Sequence, residues 1–168
     1  TTTDSLTATL SEELEHVKNY LNVMKTRFEE RLEYKIEVDE NLHKIPVPKI
    51  ILQPLVENSI NHGFVMVDKV MRIEIYGYID KNEWVVELHD NGQGFNPSTL
   101  DELKGKMEDI RRSGTVSKYS GRIGGMGIIN VYSRLWLYFN KTGFNLDIFN
   151  KPGGGACVTF RAGLGDKE

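Results

Sequence analysis

Cysteine occurs once in these 168 residues, at Cys157, so no internal disulfide is available. The four histidines, His16, His43, His62 and His89, have no zinc-type spacing with Cys157 or with one another, and no structural metal is expected. A reducing, cytoplasmic setting fits that usage. Long apolar runs are also missing. Nothing approaches the ~18 residues that a membrane helix needs, and TTTDSLTATL lacks the basic-then-apolar layout of a signal peptide. An excess of positive charge is absent too: the formal net charge of −3 gives no electrostatic reason to expect nucleic acid as a partner. Several nucleotide and kinase motifs fail. GxxxxGK[ST] does not occur, neither glycine cluster completes GxGxxG between a strand and a helix, and Lys141-Thr142-Gly143 stands without the serine motifs that would give it meaning.

What is present suits one buried core. Leu10, Leu14, Val17, Leu21, Met24 and Phe28 repeat at helical spacing over residues 9–29, and Thr9 with Glu12 forms a capping box. That seam suits either a short helical bundle or packing on this chain's own core. A strand is expected over 32–39, then Pro46 and Pro48 punctuate the chain before a second helix from Ile50 to Gly63, disturbed or begun at Pro54. MRIEIYGYID and EWVVELHD alternate as a hairpin about Asp80–Asn82. A short helix follows Pro97, the stretch RRSGTVSKYSGRIGG reads as mobile, and a further helix begins near Ile128. FNLDIF and ACVTFRAGL close the chain as a hairpin about KPGGG. This order suggests one mixed sheet with helices on one face.

Three places carry chemistry. On the second helix Glu57, Asn61, Asn58 and His62 fall within about 140° of arc, opposite Leu52, Leu55, Val56 and Ile60. A solvated face is the ordinary reading of such a pattern, yet carboxamide and carboxylate oxygens also suit a hard cation such as magnesium. Asp90 is in phase with Trp84, Val86 and Leu88, so it points to the apolar face and requires a partner. An adenine amino group would serve; a turn capped by aspartate is the plainer alternative. Gly121, Gly124, Gly125 and Gly127 precede a helix N-terminus, where free N–H groups form an anion cradle, or are simply a flexible loop. Lys104, Lys106, Arg111, Arg112, Lys118 and Arg122 either attract a triphosphate or are solvated surface.

LQPLVENSINHG (52–63), DNGQGF (90–95) and GGMGIINVYSRL (124–135) together resemble the N, G1 and G2 boxes of the histidine-kinase branch of the GHKL ATPases. EELEHVKNYLNVMKTRFEERL and IPVPKIILQPLVEN resemble the approach to this domain in LytS/YehU-type sensor kinases, so the similarity runs over about residues 5–164. The resemblance implies an α/β fold: the two-layer Bergerat sandwich, a mixed, mostly antiparallel sheet with helices on one face, preceded by an N-terminal amphipathic helix. Residues 1–30 would end the dimerisation and phosphoacceptor region, and residues 31–168 would be the ATP-binding domain. Carried over by position, Asn58 would bind magnesium, Asp90 the adenine amino group, Gly92 and Gly94 the nucleotide's flank, and Gly125 and Gly127 the phosphates. His62 and Asn61 would lie near the phosphates, although many relatives carry lysine at the position of Asn61.

Hydrolytic members of the superfamily resemble one another in a glutamate four residues before the magnesium asparagine. Here that residue is Pro54, which cannot act as a base and so favours transfer over hydrolysis. Glu57, adjacent to Asn58, is the candidate to remove a proton from an incoming imidazole, or else plays a structural or magnesium-tuning part. The implied reaction moves the γ-phosphate of ATP to a histidine upstream, in a motif resembling Pro-His-Phe that does not occur here; His16 is the one helical alternative. Implied partners are the histidine-containing dimerisation region and a response regulator, within a homodimeric, membrane-anchored sensor whose kinase lies on the cytoplasmic side. The competing expectations are a silent nucleotide-binding regulatory module and a serine kinase of the anti-sigma type.

Overall fold

The computed structural model describes residues 6–64, 68–115, 126–139 and 143–165, with the side chain of Met126 left aside. Its first helix, α1 (Leu10–Phe28), opens with a reciprocal cap: Glu12 N donates to Thr9 Oγ1 at 3.2 Å, and Thr9 N donates to Glu12 Oε2 at 3.1 Å. Leu10, Leu14, Val17 and Leu21 are buried in the same cluster as Leu52, Leu55 and Val56, while Met24 and Phe28 pack on its edge. Of the two uses open to the seam, packing on this chain's own core is the one observed.

Five strands form the main sheet in the order β2 (Leu32–Val38), β4 (Met71–Asp80), β5 (Glu83–Asp90), β7 (Ala156–Gly163) and β6 (Phe144–Asn150). Only β2 and β4 run parallel, joined by a crossover that contains α2 (Leu52–Gly63); the other three pairings are antiparallel. Strand alternation sends Ile73 and Ile75, Trp84, Val86 and Leu88, and Val158, Phe160 and Ala162 to one face, where they join the helical side chains in a single core. The expected two-layer, mixed and mostly antiparallel sandwich is therefore what the chain forms.

Some elements differ from expectation. Two short strands, β1 (Thr7–Thr9) and β3 (Pro46–Pro48), pair antiparallel as a separate ribbon. A ribbon two strands wide has no central position, so the missing N–H groups of Pro46 and Pro48 cost little. Helix α2 starts at Leu52, with Pro54 its third residue, where the first-turn N–H groups have no intrahelical acceptor and proline is tolerated. Ile50 is held at φ 61, outside the helix and in a region that β-branched residues avoid. Helix α3 (Pro97–Ser113), capped by Asn96 Oδ1 accepting from Ser98 N at 2.9 Å, runs on through Arg111 and Arg112 to a left-handed Gly114. The rest of the stretch read as mobile lies mostly outside the described residues. Helix α4 (Met126–Tyr138) buries Ile128, Val131, Tyr132 and Leu135.

Candidate functional site

The site is built where the end of β5 passes beneath the C-terminal half of α2. Asp90, the last residue of β5, faces inward as its phase requires and is 5% exposed. Its Oδ1 accepts from Gly92 N at 2.9 Å and from Ala156 N at 3.1 Å. Among the described residues no group donates to Oδ2, so one oxygen is committed to the backbone and the other is open to a ligand donor.

The loop after Asp90 is fixed before any ligand arrives. Asn91 Nδ2 donates to Val70 O at 2.9 Å, and its Oδ1 accepts from Arg72 N at 2.7 Å. Gln93 N donates to Gly63 O at 2.9 Å, and Gln93 Nε2 donates to His62 O at 3.1 Å, tying the loop to the end of α2. Contact is close enough that a Cβ on Gly92 would come within 2.5 Å of Gly63 O. Gly94 takes φ 79, a left-handed conformation suited to glycine. Asn150 at the end of β6 completes the frame: its Oδ1 accepts from Phe95 N at 2.7 Å and its Nδ2 donates to Phe95 O at 2.9 Å.

Between this loop and α2 lies a cavity of about 200 Å³ lined by Asn58, His62, Gln93, Gly94, Phe95, Asn96 and Thr99. It brings Asn58, His62 and Gly94 together; Asp90 and Gly92, bonded to each other, do not line it. Asn58 offers a neutral amide oxygen and His62 an imidazole, groups fit for phosphate oxygens and for a hard cation bound mainly by those oxygens and water. No lysine or arginine lines this cavity among the described residues. Arg111 and Arg112 both pair with Glu108 on the exposed side of α3, and Lys106, its side chain largely covered, pairs with Glu102. Lys118, Arg122, Gly121, Gly124 and Gly125 lie outside the described residues. Gly127, in the first turn of α4, abuts Pro54: a Cβ there would meet Pro54 O at 3.5 Å.

The four polar residues of α2 do not share one site, which corrects the single-face reading. Glu57 lines a cleft of about 570 Å³ against α1, together with Glu12, Glu13, His16, Gln53 and Pro54, and accepts from Gln53 Nε2 at 3.0 Å. Asn61 lines another cleft with Tyr20, Arg27 and Phe28. The angular order along the helix is as the period requires, but α1 lies beside α2 and takes the Glu57 and Asn61 half of the arc. Tyr20 on α1 registers this, its hydroxyl pKa pushed up by burial and then by the charge of Glu57. His16 shares the Glu57 cleft and stays exposed.

Sequence reasoning missed Glu13. This α1 carboxylate is 4% exposed and caps α2 from outside: Oε1 accepts from Ile51 N at 2.7 Å and Leu52 N at 3.3 Å, and Oε2 accepts from Ile50 N at 3.1 Å. A negative charge at a helix N-terminus is favourable both to the orphan N–H groups and to the helix dipole. Arg134 of α4 donates to Ile50 O on the other side of the same junction.

Residues 43–165 match the family described as histidine kinase-, DNA gyrase B-, and HSP90-like ATPase. Sensor protein LytS of Bacillus anthracis is 32% identical over 151 residues, a match covering 90% of this chain and 24% of LytS. The chain thus spans about a quarter of the length of this curated relative. Among solved structures, the histidine kinase domain of the Erythrobacter litoralis EL346 blue-light activated histidine kinase superposes with a TM-score of 0.61 at 14% identity, covering 93% of this chain and 61% of that one. Histidine kinase ThkA, in complex with response regulator protein TrrA, gives a TM-score of 0.56 at 13% identity, with 94% and 41% covered. At such identities these two likenesses speak for the fold.

Proposed function

The chain belongs to the histidine kinase-, DNA gyrase B-, and HSP90-like ATPase family as an ATP-binding catalytic domain of the sensor-kinase type, and we propose that it donates the γ-phosphoryl group of ATP to a histidine of its parent protein. The observation that carries this reading is Asp90, buried, with Oδ1 held by Gly92 and Ala156 and Oδ2 without a donor among the described residues, at the head of the loop whose Gln93 and Gly94 line the Asn58–His62 cavity.

In this reading the adenine amino group donates to Asp90 Oδ2, the preset loop from Asn91 to Phe95 flanks the nucleoside, and Asn58 and His62 face the phosphates. Gly125 and Gly127 belong to the phosphate side. Asn58 would hold a magnesium ion, which would supply charge neutralisation at the phosphates. The acceptor imidazole nitrogen forms a bond to phosphorus as the bond from phosphorus to the bridging oxygen of ADP breaks. The imidazole proton leaves to a base, for which Glu57 is the candidate carboxylate if the acceptor enters through the cleft that Glu57 lines beside α1. Pro54 stands where a water-activating glutamate would be needed, so transfer prevails over hydrolysis. Most of the acceleration then comes from positioning and charge stabilisation.

Residues 1–30 serve in this proposal as the end of the dimerisation and phosphoacceptor region, and residues 31–168 as the catalytic domain. The parent is a homodimeric membrane sensor with its kinase on the cytoplasmic side, and a response regulator takes the phosphoryl group onward. No helix among the described residues is long and apolar enough to cross a membrane.

Calorimetric titration with a non-hydrolysable ATP analogue, with and without magnesium, tests the binding half. Saturable, magnesium-assisted binding that Asp90→Asn loses is expected; no binding by the intact chain would overturn it. Radiolabelled transfer to the parent's helical region tests the chemistry. Acid-labile label is expected, whereas acid-stable label would mark a serine kinase and no label a silent module.

A further inference from the structure

On the sheet face away from the helices, Glu87, His89 and Cys157 bring three metal-ligating atoms within 4.8 Å of one another. Glu87 and His89 are two apart on β5 and so share a face, and His89 is directly opposite Cys157 across the β5–β7 ladder. His89 Nε2 lies 3.0 Å from Glu87 Oε1 and 3.7 Å from Cys157 Sγ. From zinc's usual bond lengths, a tetrahedral ion would hold sulfur and imidazole nitrogen about 3.6 Å apart and nitrogen and carboxylate oxygen about 3.3 Å apart. The first separation is already met and the second needs a few tenths of an ångström.

We propose that Glu87, His89 and Cys157 form a binding site for a borderline-soft divalent cation of the zinc class. Thiolate and imidazole donors select such an ion over magnesium or calcium, which prefer oxygen alone. The thiol is fully buried, but the side chains of His89 and Glu87 are 22% and 23% exposed, which leaves the ion a path from solvent and a fourth position for water. The ligands are supported from behind. Tyr78 donates its hydroxyl to Glu87, the main reason its pKa rises to about 12, and the ring of Tyr76 meets that of His89 edge-on at 5.7 Å. Without an ion, burial and then the charge of Glu87 push the Cys157 thiol up to about 12. Binding therefore releases the thiol proton to water, and the imidazole keeps its remaining proton on Nδ1. The site lies one residue along both strands from Asp90 and Ala156, whose bond helps to frame the nucleotide site.

The test is titration of the nucleotide-free chain with zinc chloride and, separately, cobalt(II) chloride. One equivalent per chain is expected, with cobalt giving a near-ultraviolet thiolate charge-transfer band and tetrahedral ligand-field bands. Cys157→Ser and His89→Gln should each weaken zinc binding about 100-fold and abolish the charge-transfer band, and Glu87→Gln about 10-fold. Circular dichroism and ATP-analogue binding of the same variants separate loss of a ligand from loss of the fold, and Glu87→Gln, the mildest change, keeps the test open if Cys157→Ser misfolds. Absence of the cobalt–thiolate band, or zinc binding undiminished in folded His89→Gln, would sink the proposal. Neither result bears on the ATP reading, since no nucleotide is present.

Discussion

Two carboxylates are buried to nearly the same degree in this domain, Glu13 at 4% exposure and Asp90 at 5%, and they are used in opposite ways. Glu13 spends both oxygens on three backbone N–H groups at the start of α2. Asp90 spends one oxygen on two N–H groups and keeps the other. Burial alone therefore does not mark a functional acid. The distinction lies in unspent acceptor capacity: a saturated carboxylate holds structure, and a half-used one, fixed by its bonds, is ready for a ligand.

The sharpest break of this comparison would come from Glu13→Ala, which strands the N–H groups of Ile50, Ile51 and Leu52. A loss of about 4 kcal/mol in urea unfolding is expected, from charge-assisted bonds removed and donors left buried. Nucleotide affinity of the folded fraction should change little. Asp90→Asn should do the reverse, weakening an ATP analogue about 100-fold in calorimetry while costing less than about 1 kcal/mol of stability, because the amide oxygen still accepts from Gly92 and Ala156. Equal stability losses in the two variants would erase the distinction. A finer contrast runs along α2 itself. Asn58→Ala should remove most of the magnesium-dependent part of the affinity, about 10-fold. Asn61→Ala, in the cleft beside α1, should leave the same titration within about 2-fold. The smallest effect is expected at the junction Glu13 holds: Ile50→Gly should stabilise the chain by about 0.5 kcal/mol in thermal unfolding, the relief of a left-handed isoleucine exceeding glycine's entropic cost.

Periodicity made much of this legible. The α1 seam, the order of polar groups around α2 and the inward phase of Asp90 all follow from helical and strand repeats that local sequence fixes. The division of labour on α2 was not legible, because α1 runs beside that helix only in the folded chain and claims Glu57 and Asn61. Glu13 left one trace, a charge three residues after Leu10 and four before Val17, on the stripe that is otherwise apolar. Asn150 left none, since its bonds to Phe95 join positions 55 residues apart. Distance along the chain also explains why no metal site was expected: His89 and Cys157 are 68 residues apart in sequence and direct neighbours across two strands.

The contact between Gly92 and the Gly63 carbonyl bears on how genetic screens of this domain should be interpreted. Any side chain at position 92 drives its Cβ into backbone atoms at the end of α2, with or without nucleotide present. Saturation mutagenesis scored by signalling output would place Gly92 beside Asp90 as equally intolerant, yet only the Asp90 variants would leave a normally folded protein behind. An abundance readout run in parallel would separate the two classes, and position 92 would belong with the architecture.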